Sequence, residues 1–289
     1  VIATLPPYVD HRRAIIEHPL VDELRFNTIS PLAESRRDMV SRLARETTGK
    51  RLWLDLKGRQ LRITKFAYLP YAFVSLSRRI RVELPVDVHF RDCVSRAVEL
   101  VDGDKLILSR RPVRVVGEGE PINIIDESLE IDGYLTDSDR EYIAAAVEVG
   151  VHDYMLSFVE GAGDIADVMA IDPAARIAAK IESRRGLAYA KRADVHLVAA
   201  RDDLFIQLGD DKSAYVPALE AIVRADPTAI VASHILGSLE SGPNVSSADI
   251  ADVELLLRLG YRQLMLSDTL CFREDAFRSA MDVLSQLLR

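Results

Sequence analysis

Short apolar runs alternate along this chain with longer segments whose apolar positions recur every three or four residues. Residues 1–5 predict a strand, 11–18 a short helix and 23–27 a second strand. In 32–47 the apolar residues Leu32, Met39, Val40, Leu43 and Ala44 fall on one helical face, and 52–55 predicts the third strand. The rhythm resumes at Thr136-Asp-Ser-Asp139, a capping-box-like start with aspartate in place of the usual Glu or Gln. Beyond it the pattern predicts a helix to 149 and strands at 154–157, 177–181, 196–199, 229–232 and 263–266. Helices are predicted at 164–170, 184–190, 213–224, 246–259 and 275–288.

Between these stretches the period changes from helical to alternating. Ile80-Arg-Val-Glu-Leu84, Leu106-Ile-Leu108 and Val113-Arg-Val-Val116, punctuated by turns such as Asp102-Gly103-Asp104, predict a small β-domain. The expected organisation is α/β: a (β/α)8 barrel built from 1–62 and 133–289, with 63–132 inserted after the third strand as a β lid. Eight units with polar residues gathered at strand ends favour a closed TIM barrel over an open sheet. The first strand is not followed by Gly-x-Gly-x-x-Gly, which also weighs against a dinucleotide-binding sheet.

Charge narrows the partners. A net charge of −8 disfavours nucleic acid, since no basic face is available to displace counterions. The two cysteines, Cys93 and Cys271, lie too far apart for a metal motif and fit a reducing, cytoplasmic setting. No apolar run is long enough to span a bilayer, so no membrane association is expected. Val1 is not a natural start, and a few preceding residues are expected to be missing.

The chemistry sits at the strand ends. Residues two apart on a strand share a side, so Lys180 and Glu182 emerge together where the fifth strand stops. A surface ion pair is the plain alternative. Around the same mouth the other strands supply Arg25 and Asn27, Asp55, Lys57, Arg59 and Arg62, Ser157, Arg201 with Asp202 and Asp203, Ser233-His234, and Ser267-Asp268. Cations opposite carboxylates at one end of a barrel suit a phosphate or carboxylate substrate bridged by a metal.

These residues lie in segments that resemble pyruvate kinases. Leu54-Asp-Leu-Lys-Gly-Arg-Gln-Leu-Arg62 is similar to Asp-Thr-Lys-Gly-Pro-Glu-Ile-Arg, and Ala179-Lys-Ile-Glu-Ser183 to Ala-Lys-Ile-Glu-Asn. Leu156-Ser-Phe-Val159 resembles Ser-Phe-Val-Arg, Ala200-Arg-Asp-Asp-Leu204 resembles Ala-Arg-Gly-Asp-Leu, and Ala232-Ser-His-Ile-Leu236 follows Ala-Thr-Gln-Met-Leu. Met265-Leu-Ser267 follows Met-Leu-Ser-Gly-Glu. The resemblance implies a barrel of the phosphoenolpyruvate/pyruvate type; as departures from the family, the lid is expected to be shortened and the C-terminal regulatory domain absent, and a homo-oligomer is expected. It also implies roles: Lys180 stabilising charge on the transferring phosphoryl group and enolate, Glu182 and Asp203 binding Mg²⁺ or Mn²⁺, and Arg25 holding phosphate. Ser233 would stand beside the carbon that is protonated, and the amides of Asp202 and Asp203 would receive the substrate carboxylate, with Arg62 and Arg201 also binding substrate.

Departures from the pattern set further expectations. Asn27 and Asp55 survive from a monovalent-cation site, but Ile29 replaces a serine ligand; Arg59 is expected to supply the missing positive charge, so K⁺ would not be required. Ser30 replaces a histidine near the nucleotide, and Glu120 stands where a lysine is expected nearby. The first expectation is therefore a pyruvate kinase-like phosphotransferase acting between phosphoenolpyruvate and ADP or ATP through a pyruvate enolate. A metal-dependent lyase or aldolase on pyruvate or another 2-oxo acid, without nucleotide, is the alternative; a non-catalytic ligand-binding barrel is a third.

Overall fold

The computed structural model describes residues 1–65, 72–90, 93–113 and 115–288. Eight parallel strands close into a barrel: β1 (Ile2–Thr4), β2 (Glu23–Asn27), β3 (Arg51–Leu56), β4 (Asp153–Leu156), β5 (Arg176–Ile181), β6 (His196–Ala200), β7 (Ile230–Ala232) and β8 (Gln263–Met265). Each pairs with its sequence neighbour, and β1 closes the ring against β8 through Ile2↔Met265. The expected (β/α)8 fold is the one found.

The interior explains where the polar residues go. Ile2, Trp53, Met155, Ala178, Val198, Ile230 and Met265 form one packed layer inside the barrel. Stepping two residues towards the C-terminal end of β1, β3, β4 and β5 gives Thr4, Asp55, Ser157 and Lys180, on the same inward row. On these four strands an apolar row therefore carries a polar row directly above it, while the same step on β6 and β7 gives Ala200 and Ala232.

Two compact units divide the chain. The second comprises Arg59–Tyr134 and Phe205–Lys212, and the remainder is the barrel unit. The second unit has its own core, including Val74, Val88, Phe90, Leu106 and Ile124. Its sheet is antiparallel, with strands in the order Asn123–Ile124, Val86–Phe90, Cys93–Val101, Lys105–Leu108, Phe73–Leu76 and Ile63–Lys65. Asp102 and Gly103 both take positive φ in the hairpin between Cys93–Val101 and Lys105–Leu108, the conformation that type I′ turns require.

Several sequence expectations shift. Of the strand expected at 80–84, only Ile80–Arg81 forms, paired with Glu130–Ile131. The alternation at 113–116 does not form a strand among its described residues: Arg114 lies outside them, and Val113 and Val115 are 84% and 87% exposed. Segment 205–212 joins the second unit although nothing in its composition marks a boundary. The second helix begins at Arg36 rather than Leu32, because Ser35 caps it by accepting from the Asp38 amide at 3.1 Å. A short helix, Arg201–Gln207, follows β6 directly, so Arg201, Asp202 and Asp203 occupy its first turn rather than a strand end.

The helix Asp137–Val149 carries the expected capping box, with an addition. Asp139 is fully buried and its carboxylate accepts from the Thr136 amide at 2.9 Å, the Lys57 amide at 2.8 Å and the Gly58 amide at 3.1 Å. One side chain thereby ties the exit from β3 to the start of this helix.

Candidate active site

Four charged side chains meet at the C-terminal ends of β2, β3 and β5, all largely removed from solvent: Arg25 and Lys180 are 8% exposed, Asp55 3% and Glu182 1%. Charges desolvated to this degree persist only when paired. Lys180 Nζ donates to Ser157 Oγ at 2.9 Å and lies 3.2 Å from Glu182 Oε1 and 3.5 Å from Asp55 Oδ1. Burial works against its charge, but Asp55 and Glu182 outweigh burial and hold its pKa above the usual lysine value. Lys180 is therefore an ammonium, which makes it an electrostatic group rather than a base.

Asp55 is the hub of the cluster. Its Oδ2 accepts from Arg25 Nε at 2.8 Å and Nη2 at 2.5 Å. Burial alone would raise its pKa; Lys180, Arg25 and Lys57 together hold it far below the usual carboxylate range. Glu182 goes the other way. Burial, reinforced by Asp203 and opposed by Lys180 and a 2.6 Å hydrogen bond from the Phe158 amide, pushes its pKa up to about 7. Phe158 reaches that position with φ +52°, uncommon for an aromatic residue.

Arg25 Nη1 also donates to Thr4 Oγ1 at 3.0 Å and to Asp268 Oδ2 at 2.8 Å, and Asn27 Nδ2 donates to the same Asp268 oxygen at 2.9 Å. The ammonium on Asn27 Oδ1 is that of Lys57, at 2.9 Å. A lysine ammonium is thus the cation found on Asn27, where the sequence led one to expect a guanidinium from Arg59. Gly58 takes φ +50° immediately after Lys57, and Arg59 opens the second unit, where its guanidinium lies over the Tyr134 ring at 5.1 Å.

Arg62 also belongs to the second unit, donating to the Gly119 carbonyl at 2.5 Å and to Gln60 Oε1. Arg201, expected to bind substrate, is instead built into the scaffold. It is 3% exposed, pairs with both Asp252 oxygens at 2.7 and 2.9 Å, and donates to the Ser233 carbonyl from Nε at 3.0 Å and Nη2 at 2.5 Å. The turn it holds is strained: Ser233, His234 and Leu236 all have positive φ. Asp202 Oδ1 pairs with His234 Nε2 at 2.8 Å, which raises the histidine pKa.

Thus Arg25, Asn27, Asp55, Lys180 and Glu182 come together, with Asp203 close enough to act on Lys180 and Glu182 electrostatically. Lys57, Thr4, Ser157 and Asp268 join them; Thr4 and Asp268 had only strand-end position as a signal, whereas Ser157 also lies in the segment similar to Ser-Phe-Val-Arg. Among the described residues no three His, Cys, Asp or Glu side chains are grouped to hold a metal. Glu182 and Asp203 are the two carboxylates that would hold a hard cation keeping other positions for water and substrate, as Mg²⁺ does. Their mutual repulsion, which helps push Glu182 up, is what such a cation would relieve.

A closed parallel barrel with a buried lysine–carboxylate cluster at its C-terminal mouth defines the class: a TIM-barrel protein of the kind whose chemistry lies at the strand ends. The sequence model described as the barrel domain of pyruvate kinase matches residues 92–270, well over half of the chain. The chain belongs to the pyruvate kinase family. The matched span holds Lys180, Glu182, Asp203, Ser233 and Asp268, whereas Arg25, Asn27, Asp55 and Lys57 precede it. No curated protein matches the chain. Among the described residues, no helix is long and apolar enough to cross a membrane.

Proposed function

We propose that this protein is an enzyme that forms or consumes the enolate of pyruvate or a close 2-oxo acid, with Mg²⁺ or Mn²⁺ held by Glu182 and Asp203. The observation that carries this reading is the Lys180 ammonium, fixed by Ser157, Asp55 and Glu182 at the barrel mouth. When bound, the metal would act as a Lewis acid on the substrate's oxygens. Lys180 supplies a second, preorganised positive charge where enolate charge develops, the kind of electrostatic term that dominates many enzymes. Ser233, by family resemblance, is the hydroxyl beside the carbon that gains or loses a proton. Its turn is braced by Arg201.

Two overall reactions use this chemistry. Phosphoryl transfer between phosphoenolpyruvate and a nucleotide is supported by the family membership and by the joint presence of Arg25, Lys180, Glu182, Asp203 and Ser233. A lyase or aldolase reaction without nucleotide is favoured by the neutralisation of Arg25 between Asp55 and Asp268. Exchange of the pyruvate methyl protons with deuterium, followed by NMR with Mg²⁺ present, tests what they share. Exchange should exceed the enzyme-free rate and be lost in Lys180→Met. A rate no greater than the blank would overturn the reading. Consumption of phosphoenolpyruvate that depends on ADP then identifies the first reaction.

A further inference from the structure

We propose that Asp268 occupies, from within the chain, the place a substrate phosphoryl group would take on Arg25, and so selects an unphosphorylated 2-oxo acid. This rests on the enolate reading of the same site and names its substrate class. A guanidinium has five N–H donors. Four of those on Arg25 are committed: Nε and Nη2 to Asp55, and both Nη1 hydrogens to Thr4 and Asp268. Two carboxylates therefore face one guanidinium, and the Nη1 edge that could turn to a phosphate is already held by one of them.

Asp268 is no incidental neighbour. Its Oδ2 takes hydrogen bonds from both Arg25 and Asn27, at 2.8 and 2.9 Å, so the carboxylate is aimed by two side chains of β2. Burial disfavours its charge, but Arg25 and Asn27 outweigh burial and keep its pKa below the usual range. In the segment similar to Met-Leu-Ser-Gly-Glu, Asp268 stands where that pattern has glycine, a residue that brings no anion. A carboxylate and a phosphate cannot share these donors, because two anions at hydrogen-bond distance on one buried guanidinium repel, even though the Asp268 side chain itself is 31% exposed. A pyruvate-type substrate, bound through Lys180 and the Glu182–Asp203 pair, makes no demand on Arg25.

Calorimetry with inorganic phosphate, phosphoenolpyruvate and Mn²⁺–oxalate tests this on the intact protein, on Asp268→Asn and on Asp268→Gly. The unmodified protein should bind oxalate with metal and bind phosphate poorly. Both variants should bind phosphate and phosphoenolpyruvate about tenfold more tightly or better, the value of one charge-assisted hydrogen bond recovered. Arg25→Met in the Asp268→Asn background should erase that gain. Phosphate affinity unchanged or weakened in whichever variant stays folded would overturn the proposal, since Asp268 would then only orient Arg25. Failure of oxalate to bind would count against the enolate reading alone, because the phosphate titrations need no metal.

Discussion

Lys57 donates its ammonium to the carboxamide oxygen of Asn27 at 2.9 Å, beside Asp55. A protein cation thus lies on Asn27 and acts electrostatically on Asp55, the two residues that survive from the expected monovalent-cation site. The unmodified protein should show the same methyl exchange in K⁺ and in tetramethylammonium. Lys57→Met should lose rate and regain part of it with added K⁺. A steep K⁺ requirement in the unmodified protein would show that the lysine does not substitute for the ion.

Glu182 is buried and its charge is disfavoured both by burial and by Asp203. Glu182→Gln should therefore leave the melting temperature unchanged or higher while abolishing Mn²⁺ binding, since the amide oxygen can still accept from the Phe158 amide. Calorimetry and thermal unfolding on the same sample check both halves. Wild-type Mn²⁺ affinity in this variant would remove Glu182 from the metal site.

Arg201 separates positioning from binding. Arg201→Lys keeps the charge but cannot reproduce the fork that grips Asp252 while holding the Ser233 carbonyl. Exchange should slow by about tenfold or more, as expected when a reacting group is misplaced slightly. Binding of Mn²⁺ with oxalate should persist. If that binding is lost together with exchange, Arg201 acts on the substrate directly.

At the opposite end of the barrel, the nearly buried Asp172 accepts from Tyr154 Oη at 2.9 Å and the Ala174 amide at 3.0 Å, and pairs with His152 Nδ1 at 2.7 Å. Burial opposes its charge, but these partners hold its pKa below the usual carboxylate value. A depressed folded pKa means the stabilisation is complete above the unfolded value of about 3.9 and disappears as pH falls through the folded one. Asp172→Asn should therefore lower the melting temperature at pH 7 and flatten its fall below about pH 4. Parallel acid profiles for the two proteins would refute this.

The barrel and Lys180–Glu182 were legible because both follow from local spacing: apolar strands recurring between helices, and two residues on one strand face. The bond from Lys57 to Asn27 has no signature in the chain, because the charge of Lys57 is legible there and the left-handed turn at Gly58 that follows it is not. Val113 and Val115 have the alternation of a strand without a partner to pair with. The bond between Arg25 and Asp268 spans 243 positions and has no signature in either segment. Arg201 looked like a ligand residue because a buried arginine and a substrate-binding one are the same letter.

Asp139 makes the exit and the return of the chain a single joint. Its carboxylate gathers the Gly58 and Thr136 amides, so the backbone leaves the barrel and re-enters it at one clasp that uses no atom of what lies between. Segment 59–134 is thus a cassette. Trading it for a short turn, or for a cassette of another length, should leave strand order and register of the barrel untouched, at the cost of the packing that 205–212 has within the second unit.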